Sequence, residues 1–265
     1  MTPWLWLAII GPACLAGTGI LATAQRAASL PRVIVLAGVA SCLALAGALA
    51  TAYAVATEGT LQSPLLGLYG AGFSLYADRL TAVMVCLVAF IGVIVVAYSR
   101  TYLEGDPGHK RFTGYLCLTL SAVLLIILSG NMLLFGLAWI GTALGLNKLL
   151  LFYPERQAAL LAARKKFVTS RAGDICLFGA AILLYHRFGT LDYATIFAGA
   201  AASPGLDVVS VLLVTTAMLK SAQCPLHGWL IEVMETPTPV SALLHAGIIN
   251  AGGFLVLRFS GLIAQ

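Results

Sequence analysis

Residues 220–250 read KSAQCPLHGWLIEVMETPTPVSALLHAGIIN. This stretch holds one lysine, two histidines, two glutamates and three prolines, and apolar runs flank it on both sides. Lys220 ends the run VVSVLLVTTAMLK, and Pro225 follows about one turn later. Proline lacks a backbone N–H and its ring clashes with the preceding turn, so the helix is expected to break here. Non-helical backbone at membrane depth survives only where protein buries it or water lines it. A lysine at such a break suits ion relay, because burial makes its charge conditional; the alternative is a lysine at the inner interface.

The chain around this stretch is 265 residues long, 60% hydrophobic and 9% charged, with a mean hydropathy of +0.98. Soluble domains carry roughly 25% charged residues, so this sequence cannot coat a soluble surface of its size. It reads as an all-α, polytopic transmembrane helix bundle. Eight apolar segments are expected as spans: 4–24, 33–56, 73–98, 113–129, 132–152, 167–187, 206–221 and 239–263. Each must satisfy its own backbone hydrogen bonds in lipid, which selects helices, and alternating barrel strands do not appear. The apolar N-terminus lacks a basic leader region and reads as a first span rather than a signal peptide.

Ten basic residues fall on one side of these spans: Arg26, Arg32, Arg100, Lys110, Arg111, Arg156, Arg164, Lys165, Lys166 and Arg171. Positive loops mark the cytoplasmic side, which places the N-terminus outside. Arg187 and Arg258 are read as snorkelling near helix ends, and Arg79 as snorkelling or pairing beside Asp78, itself read as a helix-entry carboxylate. The net charge of +5 sits in short loops and does not signal nucleic acid. Six scattered cysteines without a C-x-x-C pair read as small apolar residues. No phosphate loop, nucleotide fingerprint or metal-ligand cluster is found, so no cofactor and no metal are expected. The spacing Gly141-x-x-x-Gly145 suits close helix packing.

Beyond the break, His227 and Glu232 lie on a short amphipathic stretch. Pro237 and Pro239 bracket a restart, with Thr238 expected as N-cap and Pro239 as the first helical residue. Ser241 and His245 share a face of the last span at i, i+4, whereas Asn250 is expected off that face. A mid-helix histidine suits proton transfer, or simply bonds a neighbouring helix. Asp174 either pairs with Arg171 or tunes the charge on Lys220 or Lys148. Lys148 either reaches the inner interface or joins the relay.

K-S-A-Q-x-P-L-x-x-W-L, then M-x-x-P-T-P-V-S-A-L-L-H-A, is similar to the signature of proton-translocating membrane subunits of complex I (the NuoL type) and Mrp antiporters. The likeness extends through Asp78-Arg-Leu, the Tyr98-Ser to Asp106 loop and the run Lys166-Phe to Asp174, covering roughly residues 73–260. The variant from His227-Gly-Trp-Leu-Ile-Glu232 to Asn250-Ala-Gly-Gly most resembles the DabB-type membrane subunits of DAB inorganic carbon transporters.

That resemblance implies the first half of an antiporter-like inverted-repeat fold. Residues 1–110 would form transmembrane helices 1–3. Residues 111–265 would form the first five-helix unit, with the second unit absent, the chain being either a truncated product or one that needs another chain to complete the passage. It also implies a large zinc-containing, carbonic-anhydrase-like partner of the DabA type in a bacterial inner membrane. Cation flow through this subunit would drive CO2 hydration to bicarbonate by that partner. The chain itself is then a transport and energy-coupling subunit rather than an enzyme. The relay set would be Lys220, His245, Asp174, Lys148, Glu232 and His227. One departure bears on it: pumping members carry a glutamate after the tryptophan of span five, and here Ile140 follows Trp139, leaving Asp174 or Glu232 to compensate. The alternatives are a quinone-oxidoreductase or Mrp antiporter subunit, which would count as a translocase subunit in the first case, and a nonconducting scaffold.

Overall fold

The computed structural model describes residues 4–24, 29–200, 205–224, 227–232 and 236–264. Arg26, Pro225 and Glu235 lie outside the described residues, as does the Glu232 side chain. The helices are α1 (Trp4–Ala24), α2 (Leu30–Glu58), α3 (Arg79–Tyr102), α4 (His109–Leu128), α5 (Met132–Leu150) and α6 (Gln157–Phe188). They continue as α7 (Tyr193–Ala200), α8 (Asp207–Lys220), α9 (Gly228–Glu232), α10 (Thr238–Leu243), α11 (Asn250–Arg258) and α12 (Ser260–Ile263), with a π-helical turn at Leu244–Ile248 joining α10 to α11.

All eight expected segments are helical. Among the described residues, seven spans are long and apolar enough to cross a membrane, the last running unbroken from Thr238 to Arg258 through the π turn. The remaining segment, α8, has 14 residues. That is about 21 Å of helix against a hydrocarbon core of about 30 Å, as befits a helix that breaks inside the bilayer. The most apolar window of α4 is 78% buried, against 33–56% for the other spans. α4 is therefore the central post, contacting α1, α2, α3, α5 and α11.

Two elements depart from the sequence reading. Residues 61–77 form four short strands, β1 (Leu61–Gln62), β2 (Leu66–Leu68), β3 (Ala71–Phe73) and β4 (Tyr76–Ala77), pairing β1 with β4 and β2 with β3 antiparallel. They delay the start of α3 to Arg79, where Asp78 caps the helix by accepting from the Thr81 N–H at 2.8 Å. The expected loop 188–205 contains α7, held to the strands through Asp192, which accepts from Ser74 Oγ at 2.7 Å and Gln62 Nε2 at 2.8 Å. Arg258 does not snorkel. It is buried, 2.8 Å from Asp78 and stacked on Tyr76 and Phe254, so it ties α11 to the start of α3.

Small residues set the helix spacing. A Cβ at Gly145 would lie 2.3 Å from Thr119 Oγ1, and one at Gly141 would lie 3.3 Å from the Ala122 methyl, so α5 seats on α4 along the Gly141–Gly145 face. α11 meets α8 at Gly252, where a Cβ would fall 2.1 Å from Ser221 Oγ and 2.5 Å from the Ala217 carbonyl. Gly253 faces open space. Gly252→Val should therefore cost about 2 kcal/mol through overpacking, and Gly253→Ala should be neutral. Thermal melts of the two variants in one detergent measure the difference; equal melting temperatures would contradict this packing.

Candidate functional site

The site forms where α5, α6 and α8 meet, at the end of α8. Lys220 is the last residue of that helix and is 8% exposed. The chain then turns out of helical geometry: Ala222 has φ +53°, a conformation that non-glycine residues rarely adopt. The break thus falls before Pro225 is reached. Ser221 steadies it by donating to the Ile249 carbonyl at 3.0 Å, and Gly252 gives that contact room.

The Lys220 amine has two direct partners. Nζ donates to Thr142 Oγ1 at 2.8 Å and lies 4.2 Å from the centre of the Trp139 ring. Trp139 is itself buried and stacked on Phe135. An ammonium at mid-bilayer costs about 3 kcal/mol on insertion scales. A desolvated cation over indole gains about 2 kcal/mol, and the hydroxyl adds a hydrogen bond. Ile140, where related pumping subunits place a glutamate, is therefore not the lysine's counterpart; Trp139 and Thr142, one residue before and two after it, hold the amine. The choice of hydroxyl has a chemical consequence. Thr142 gives its own hydrogen to the Trp139 carbonyl at 2.8 Å and accepts from Lys220; a neutral amine keeps N–H donors of its own, so the contact survives loss of the proton. A carboxylate would favour the charged form alone.

Asp174 is buried on α6, and its Oδ2 is 2.7 Å from Arg171 Nη2. Neither oxygen makes a further hydrogen bond of ordinary geometry, and the Trp139 side chain stands close enough to act on the carboxylate. Asp174 lies within electrostatic reach of both Lys166 and Lys220, so pairing with Arg171 and acting on Lys220 are compatible. Lys166 corrects the sequence reading: it is a buried residue of α6, donating to the Ala143 carbonyl at 2.6 Å, and not a loop charge. The sequence held a signal for it, because positions 166, 170 and 174 follow the i, i+4, i+8 period of one helix face. Thr142 and Trp139 carried no such signal, since neither is charged.

The other predicted residues lie apart from this cluster. Lys148 is exposed in the last turn of α5. His227 is exposed just ahead of α9, and Glu232 ends that helix. Trp229 of α9 is buried with its indole N–H unpartnered. At the restart, Thr238 is not the cap: α10 begins on it, Pro237 precedes it with φ −53° and ψ 137°, and Pro239 is its second residue. His245 is exposed within the π turn. That turn inserts an i→i+5 step, the Ile249 N–H bonding the Leu244 carbonyl at 3.0 Å. Asn250 is thereby brought under His245, donating to its carbonyl at 2.9 Å, and does not fall off the face as a regular helix would place it. No hydrogen bond or ion pair joins Lys220 to His245 among the described residues.

The described bundle thus holds a broken span, a buried lysine at the break and a π turn carrying a histidine. Residues 129–265 match the family described as NADH:quinone oxidoreductase/Mrp antiporter, transmembrane, and residues 66–113 match the complex I chain 5 N-terminus. The first match covers just over half of the chain, and the chain belongs to the NADH:quinone oxidoreductase/Mrp antiporter family. It is 45% identical over 191 residues to the probable inorganic carbon transporter subunit DabB of Hydrogenovibrio crunogenus, covering 70% of this chain and 37% of that one. It is 40% identical over 189 residues to NADH-quinone oxidoreductase subunit L of Mycobacterium tuberculosis, covering 70% of this chain and 30% of that one. The fold superposes on the Mrp complex of a Dietzia species with a TM-score of 0.80 at 28% identity, over 98% of this chain and 28% of that one. The chain thus spans well under half the length of these relatives.

Removing one partner of a buried charge costs more than removing the charge itself. Thr142→Val, which strands the amine, should lower stability by about 1–2 kcal/mol. Lys220→Met should be neutral or stabilising, and adding it to Thr142→Val should restore the loss. Melts of the three variants in detergent test this ordering; a Lys220→Met protein less stable than Thr142→Val would contradict it.

Proposed function

We propose that this chain is the cation-coupling membrane subunit of an inorganic carbon accumulation complex in a bacterial inner membrane. Protons, or Na⁺ in the same role, enter at the break after α8. Lys220 relays them, and Asp174 sets the field around it through Arg171. His245 passes them sideways from the exposed flank of the last span, where a second unit, in this protein or another chain, receives them. Lys148, His227 and Glu232 are the candidate entry and exit groups. CO2 hydration belongs to a large zinc-containing, carbonic-anhydrase-like partner of the DabA type. Residues 1–110 serve as an N-terminal helical trio and residues 111–265 as the first conducting unit, with the N-terminus periplasmic, as the basic loops favour.

The observation that carries this reading is the amine of Lys220, buried at a helix break and held by a hydroxyl that serves both protonation states. The 45% identity to a DabB subunit directs it toward inorganic carbon. The second reading is a complex I or Mrp antiporter subunit, favoured by the likeness to subunit L and to the Mrp fold. The two part on the partner: a zinc protein encoded beside this chain supports the first, a set of redox subunits the second.

Growth of a carbonic-anhydrase-deficient bacterium at ambient CO2 tests the proposal. Co-expression with the partner subunit should restore growth, and Lys220→Ala should abolish it. Rescue that survives Lys220→Ala would remove the relay from the account.

A further inference from the structure

A groove of about 1140 Å³ runs between α2 and α3, lined by none of the residues of the Lys220 site. Its walls are apolar, formed by residues such as Ile34, Val39, Leu43 and Val96. Along α2 it extends from Leu30 to Ala46, about 24 Å at the rise of an α-helix. One leaflet, from bilayer midplane to the outer limit of the headgroups, measures about 20–22 Å. The groove is therefore one leaflet long, and its polarity is that of one amphiphile. Arg100, Thr101, Glu104 and His109 gather at the end where α3 stops and α4 begins.

His109 supplies an independent sign of a ligand. It is 3% exposed, lines the groove, and its Nε2 has no hydrogen-bond partner. A buried ring nitrogen without a partner loses about 1–3 kcal/mol relative to a satisfied one, and a headgroup oxygen in the groove would restore that bond. Arg100 and Glu104 are both exposed, and no ion pair joins them. Opposite charges thus stand unneutralised by one another around a single groove mouth.

We infer that this groove is a specific site for a zwitterionic phospholipid bearing a primary ammonium, of the phosphatidylethanolamine class. One acyl chain lies along Ile34, Val39 and Leu43. The phosphate meets Arg100 and His109 Nε2, and the ammonium meets Glu104. An anionic lipid would satisfy Arg100 but leave Glu104 facing negative charge. A choline headgroup would bring no N–H donor to the Glu104 carboxylate.

Native mass spectrometry of the full chain, released from mild detergent after equilibration with one lipid at a time, tests the site. The probes are phosphatidylethanolamine, phosphatidylglycerol and phosphatidylcholine of the same acyl composition. One phosphatidylethanolamine per chain should be retained in preference to the other two. Arg100→Ala should weaken retention about tenfold, the loss of one charge-assisted bond. Glu104→Gln should erase the preference over phosphatidylglycerol while leaving that lipid bound. Gly38 lines the groove and a Cβ there meets nothing within 4 Å, so Gly38→Leu fills the groove without disturbing the fold and should abolish retention. All three substitutions avoid the buried His109, and an unchanged melting temperature certifies folding. Equal retention by the parent and Gly38→Leu, tighter binding of phosphatidylglycerol than of phosphatidylethanolamine, or a copurifying polypeptide in place of lipid would each overturn the assignment.

Discussion

The structure depends on how one amine is kept inside an oily bundle. Lys220 is almost wholly buried, and the bilayer offers no polar solvent in place of water. Everything near it is arranged around that requirement. α8 stops at the lysine, so its amine projects toward α5 and away from lipid. Trp139 supplies a ring face and Thr142 a hydroxyl. Gly252 lets α11 close against the break, and Ser221 bonds across to it. The interaction is not optimised for tight charge pairing. The carboxylate nearby, Asp174, is engaged with Arg171. The Thr142 hydroxyl accepts from the amine whether it is charged or neutral, while the indole face favours the charged form.

This arrangement gives Ile140 a meaning. Related pumping subunits place a glutamate there; this chain instead buries two lysines, Lys166 and Lys220, within electrostatic reach of one aspartate. Asp174 lies on α6, which neighbours α5, and is the carboxylate within electrostatic reach of both lysines. Proton movement governed by such a cluster would couple α6 to the break in α8, and α6 also packs on α9, the short helix just beyond that break.

The sequence exposed the architecture well because lipid imposes a simple rule. Every long apolar run had to be a helix, and all eight were. It also marked Lys220 and the restart at Pro237–Pro239, since charge and proline stand out against leucine. What it concealed had physical causes. Lys166 follows Arg164 and Lys165, so it looked like one more loop charge until α6 proved to start at Gln157. Arg258 looked like a snorkelling end residue, because its partner Asp78 is 180 positions away. The contact of Asn250 with His245 depends on a π turn, and one inserted residue in a helical period leaves no trace in composition. Thr142 is uncharged and common, and only proximity reveals its role.

The central claim is that the cradled Lys220 is the group through which ions pass. The most direct measurement is proton flux through the complete complex in proteoliposomes containing a pH-sensitive dye, under an imposed gradient. The account predicts that Lys220→Met collapses flux, while Arg164→Gln, at an exposed position of α6 outside the relay set, leaves most of it. Flux that persists undiminished in a folded Lys220→Met complex would contradict it.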